Sequence, residues 1–159
     1  MSINMIAKIE IVEQSEFCLA GISVRTTNQN GQSQKDIGDL WSRIMKDNLL
    51  KKIKDKASED TYCVYTDYET DYTGFYIALI GCKLNSLANI TEGFTGMIIP
   101  PDKYQVYTLA GKFPENVHEA WQEIWASGVE RKYSADFDLY CANAKSFEET
   151  KVKIYLAVK

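Results

Sequence analysis

The sequence predicts an α+β fold built from two β-β-α-β-β modules related by a pseudo-two-fold. The strands join into one antiparallel sheet of about eight, with two main helices and a central cleft. Three observations lead there. Strand-like runs come in pairs on either side of a helix-like run, and this order occurs twice. The helical runs align with each other: "IGDLWSRI" at 37–44 matches "VHEAWQEI" at 117–124, so Trp41 corresponds to Trp121 and Ile44 to Ile124. Two strand runs align as well, "YCVY" at 62–65 with "FDLY" at 137–140 and "FYIAL" at 75–79 with "IYLAV" at 154–158. Residues 1–159 are read as one domain, with repeats over about 1–85 and 93–159.

Each element has its own signal. "AKIEIVE" (7–13) alternates like a strand, and "FCLAGISVRT" (17–26) follows after a short turn. "TNQNGQSQ" is a loop, and Ser33 with Asp36 three residues on resembles a capping box. A helix is expected from there to about Lys56, with Ile37, Leu40, Trp41, Ile44 and Met45 on one face. The basic run "LLKKIKDK" (49–56) is read as its solvated end. "TYCVYTDY" (61–68) and "GFYIALIGCKL" (74–84) are rich in β formers. In the second module "FTGMIIP" and "KYQVYTLAG" are strands. "FPENVHEAWQEIWASG" is a helix with Pro114 in its first turn and Gly128 at its end, and "DFDLYCA" and "VKIYLAVK" close the fold.

Composition excludes several functions. The net charge of −4 argues against direct nucleic-acid binding, which needs clustered Lys and Arg. No run approaches the roughly 20 apolar residues of a membrane span, and "MSINMIAKIEIV" lacks a signal-peptide pattern, so a cytoplasmic protein is expected. Cys18, Cys63, Cys82 and Cys141 are scattered and read as free thiols. No phosphate-binding glycine loop, Gly-x-Ser-x-Gly or metal-ligand cluster occurs, so no cofactor and no metal is expected. His118, the one histidine, is expected to be partly exposed.

The candidate site comes from strand alternation. In "DFDLY", Asp138 and Tyr140 share one face and Phe137 and Leu139 the other. The repeat supplies a tyrosine pair per module, Tyr65 with Tyr76 and Tyr140 with Tyr155. If the modules face each other, these four line a cleft. Trp41 and Trp121 close its sides, with Trp125 one turn further. Asp138 stands where the first module has Cys63, so the box of rings holds one carboxylate. That combination suits an organic cation. The same pattern is also met by a solvated aspartate, ordinary sheet tyrosines and core tryptophans.

The runs "AGISVRT", "IGDLW", "YCVYTDYETDYTGFYIALIG", "YQVYTLAGKFPENVHEAWQEIW" and "RKYSADFDLY…VKIYLAVK" resemble the GyrI-like small-molecule-binding family, also described as the AraC-type or integron-associated effector-binding domain. The resemblance covers nearly the whole chain. It implies the duplicated fold with a ligand cleft between the modules. In multidrug-sensing relatives that cleft takes lipophilic cations and uses a glutamate on the penultimate strand, where this chain has Asp138. Many relatives carry a helix-turn-helix domain. Here the first strand begins by about residue 6, and a stand-alone module is expected.

Three functions follow. The first is a sensor or sequestering protein for amphipathic or cationic small molecules. The second, implied by hydrolases in the family, is hydrolysis of a strained electrophile by Asp138 and Tyr140. The third is a protein-interaction role, as in relatives that inhibit DNA gyrase. A homodimer or a protein partner stays open.

Overall fold

The computed structural model describes residues 5–142 and 144–159; residues 1–4, where the N-terminal stretch read above begins, and residue 143 lie outside it. Its elements are β1 (Ile6–Gln14), β2 (Phe17–Thr27), α1 (Gln32–Asp47), β3 (Thr61–Thr66), β4 (Phe75–Leu84), β5 (Thr95–Ile99), β6 (Asp102–Leu109), α2 (Glu115–Ala126), β7 (Ala135–Tyr140) and β8 (Val152–Ala157). The β-β-α-β-β order therefore occurs twice, as the repeat predicts. The strands form one eight-stranded antiparallel sheet in the order β1-β6-β8-β7-β3-β4-β2-β5.

The modules meet at β3 and β7, the two central strands. Cys63 pairs with Asp138, its own repeat mate, so the pseudo-two-fold passes beside this pair. The first strand of each module crosses to the other. β1 pairs with β6, and β5 pairs with β2. The register runs on through both crossings, with Gln14 opposite Asp102 and Phe17 opposite Ile99. Residues 6–21 and 95–109 thus behave as two long paired strands interrupted at one place. The interruption falls at Pro100 and Pro101, whose missing N–H groups cannot join the ladder. β2 and β4 approach closely through a glycine pair, Gly21 opposite Gly81. A Cβ on either would lie 2.0 Å from a carbonyl oxygen of the facing strand.

Alternation along the strands divides the core. One face buries Phe17, Leu19, Tyr62, Val64, Tyr104 and Phe137, with rings of Phe17, Tyr62, Tyr104 and Tyr155 gathered around Phe137. The other face carries the helices. α1 sets Leu40 and Ile44 against Ile22, Cys63 and Ile80, and α2 sets Ala120 and Ile124 against Tyr107, Ile154 and Leu156. Between the helices, the middle of that face is left as a cleft.

Two local expectations change. α1 ends at Asp47 and not near Lys56, because Asn48 turns into the left-handed region at φ 52°. The basic run then forms a 3₁₀ turn that directs Leu50 and Ile53 into the core, while Lys51, Lys52 and Lys54 remain in solvent. Nor does Ser33 cap the helix. Gly31 is the N-cap residue, and Asp36 accepts from Thr26 Oγ1 (2.9 Å) and Gln32 Nε2 (3.2 Å), tying α1 to the end of β2.

Candidate functional site

The cleft lies over β3, β4 and β7, between the facing sides of α1 and α2, and has a volume of about 1420 Å³. Its floor is aromatic because of strand alternation. Tyr65 on β3, Tyr76 on β4 and Tyr140 on β7 all point to the helix face. Trp41 of α1 stands edge-on to Tyr140, with centroids 5.3 Å apart. Trp121 of α2 stands edge-on to Tyr65 at 5.6 Å. Trp125, 39% exposed, stacks on Tyr72 at the rim, with centroids 6.1 Å apart and planes 16° apart. Perpendicular and stacked pairs of this kind hold the rings in place while leaving faces open to a ligand.

Asp138 lies beneath this floor and is 0% exposed. Three rings of the cleft donate to it. Tyr65 Oη reaches Oδ2 at 2.6 Å, Tyr140 Oη reaches Oδ2 at 3.1 Å, and Trp121 Nε1 reaches Oδ1 at 3.1 Å. Burial pushes its carboxyl up to about 6, against the lowering effect of these three hydrogen bonds. Burial and then the Asp138 charge hold the phenols of Tyr65 and Tyr140 well above their ordinary range, so they stay protonated donors. The carboxylate is thus the hub that orients the floor. Its negative charge also polarises the donor rings.

Tyr155 is a correction. Its ring stacks on Phe137 at 4.4 Å with planes 13° apart, on the sheet face away from the cleft. Sequence similarity aligns it with Tyr76, but hairpin register does not. Tyr65 pairs with Ala78, and Tyr140 pairs with Val152. Counting back two from each, the structural counterpart of Tyr76 is Thr150, which lines the cleft. Thr150 and Tyr155 are an odd number of residues apart, and an odd shift reverses the face. Trp41, Trp121, Trp125, Tyr65, Tyr76 and Tyr140 all line the cleft, with Asp138 under them. His118 is exposed at its edge.

Several cleft residues were not singled out from sequence. Tyr68 and Tyr72 sit on the β3–β4 connection, where face arithmetic does not apply. Arg131 precedes β7 and lines the cleft although only 8% exposed. Its Nη2 pairs with Asp136 Oδ2 at 2.8 Å. Asp136 also accepts from Tyr68 Oη at 2.5 Å and from the Ala157 amide at 2.8 Å. Burial raises the Asp136 carboxyl, with the Arg131 charge opposing that rise. Alternation did contain a signal for Asp136, which shares the face of Asp138 two residues later.

Comparison with known proteins agrees with this architecture. The profile of a family described as integron-associated effector binding protein matches residues 10–158. YobU of Bacillus subtilis (strain 168), named provisionally as a transcriptional regulator, is 30% identical over 146 residues, covering 88% of this chain and 91% of YobU. The integron cassette protein VCH_CASS2 of Vibrio cholerae superposes with a TM-score of 0.76 at 26% identity, covering 98% of each chain. SAV2435, solved with tetraphenylphosphonium bound, superposes with a TM-score of 0.79 at 19% identity, covering 96% of this chain and 94% of its own. Among the described residues no helix is long and apolar enough to cross a membrane.

Proposed function

The chain belongs to the integron-associated effector-binding family, whose members bind small-molecule effectors, and we propose that its own ligands are lipophilic organic cations held over Asp138. The observation that carries this reading is the buried Asp138 carboxylate, which accepts from Tyr65, Tyr140 and Trp121, all three of which line the cleft. A cation resting on these rings gains contact with their faces and the attraction of the charge beneath, in surroundings where water screens little. SAV2435, which shares the fold, was solved with a cation of this class. The ring-lined volume of about 1420 Å³ accommodates such a molecule. The role is that of a sensor or sequestering protein.

The hydrolase alternative has less support. A carboxylate that is 0% exposed and shared among three ring donors has no approach for the water it would activate. Repeated turnover of an epoxide by the wild-type protein, lost in Tyr140→Phe, would reverse that preference.

Titration with tetraphenylphosphonium, followed by tryptophan fluorescence, tests the binding reading. Saturable quenching of a cleft tryptophan is expected, and no change up to millimolar ligand would contradict it. The two equivalent tryptophans should respond differently. Trp121→Phe removes the N–H donor to Asp138 and is expected to weaken cation binding by about fivefold. Trp41→Phe keeps an aromatic neighbour for Tyr140 and removes no hydrogen bond to Asp138, so its loss should stay below about twofold. Equal losses in folded variants would mean that the Asp138 contact does not matter to binding.

A further inference from the structure

Arg131 is more than a structural partner of Asp136. The guanidinium is enclosed by rings, with its carbon 4.4 Å from the Tyr133 centroid, 5.6 Å from Trp121 and 5.9 Å from Tyr68. Among the described residues only Nη2 has acceptors, Asp136 and the Tyr68 hydroxyl. Nε and Nη1 are buried with no acceptor among the described residues. Buried donors of a charged group are costly to leave unpaired, and a native structure retains them where something else pairs with them. Arg131 lines the same cleft as Trp121, and the indole links the two ends: its N–H reaches Asp138, and its ring lies against the guanidinium.

Charge decides what kind of acceptor fits. The Arg131 charge is already balanced by Asp136 at 2.8 Å. A ligand carboxylate would compete with Asp136 and would have to be stripped of water beside a second buried acid. A neutral oxygen gains a charge-assisted hydrogen bond without that cost. Resting on the cation reading above, we infer that Arg131 forms an acceptor subsite, which takes a neutral carbonyl-type oxygen of the organic cation whose charge lies over Asp138.

The test uses two phosphonium cations that differ in one group, (4-acetylphenyl)triphenylphosphonium and (4-isopropylphenyl)triphenylphosphonium. The wild-type protein is expected to bind the acetyl compound about fivefold to tenfold more tightly. Arg131→Lys keeps a charge for Asp136 but removes the two free guanidinium donors. It should abolish that preference, bringing the ratio of the two affinities to about one. A second readout needs no variant. The Arg131 Nε–H resonance, one of three arginine side-chain signals, should shift with the acetyl compound and not with its isostere. Equal binding of the two compounds by wild type, or a preference that survives Arg131→Lys, overturns the inference while the cation reading stands. Binding of neither compound overturns both.

Discussion

Arg131→Met is expected to lower folding stability by about 3–5 kcal/mol at pH 7.5. Asp136 is 0% exposed and, among the described residues, keeps only the Tyr68 hydroxyl and the Ala157 amide as donors once the guanidinium is gone. Its carboxyl is already raised by burial with Arg131 present, and without that opposing charge it rises further. A carboxyl raised in the folded state contributes stability that is present at low pH and lost as pH climbs through the folded value. The deficit of Arg131→Met should therefore be largest at neutral pH and should shrink on acidification. Arg131→Met with Asp136→Leu removes both charges and should recover much of the loss, as buried pairs replaced by apolar residues often do. Chemical denaturation at pH 7.5 and pH 5 on the three variants measures this. A single mutant within about 1 kcal/mol of wild type at pH 7.5 would show that the pair contributes little.

Asp138→Asn is expected to separate stability from binding. The carboxyl is raised by burial from 3.8 to about 6, a difference of about 3 kcal/mol between its protonation states. The sign follows from the direction. Below about pH 4 the group is neutral in folded and unfolded chains alike, and as pH rises through 6 the folded state bears the cost of a buried charge. Asparagine never bears it. Its amide oxygen can accept from Trp121, and its NH₂ can donate to the two tyrosine hydroxyls, which rotate to accept. Stability at pH 7.5 should be unchanged or higher by up to about 3 kcal/mol, with almost no gain at about pH 3. Cation affinity should fall by about 1–2 kcal/mol, roughly tenfold. A variant less stable than wild type at pH 7.5 would make Asp138 a structural acceptor first and a ligand group second.

Much of this site was legible in the sequence because sheet alternation and helical spacing are strict. Asp138, Tyr140, Tyr65 and Tyr76 needed only the two-residue period, and Trp41 and Trp121 needed only their matching helix positions. Tyr155 failed for a reason of register. A five-residue alignment with two identities, Tyr76 with Tyr155 and Ala78 with Ala157, looked convincing, but the β7–β8 connection sets another pairing, and side-chain direction follows pairing. The crossing of β1 and β5 between modules was not legible either. It depends on which long-range partner each strand takes, and β1 and β2 look the same from sequence in both arrangements. Tyr68, Tyr72 and Arg131 lie on irregular segments, where no period predicts direction.

The charge of Asp138, acting through its ring donors, is expected to select cations. Tetraphenylphosphonium and tetraphenylborate are nearly the same size and apolarity and differ in sign. Their dissociation constants at pH 7.5 therefore isolate that charge. The phosphonium is expected to bind at least about tenfold more tightly. The advantage should shrink as pH falls below about 6, where Asp138 becomes protonated, and should be largely absent in Asp138→Asn. Equal binding of the two ions at pH 7.5, or tighter binding of the borate, would contradict it.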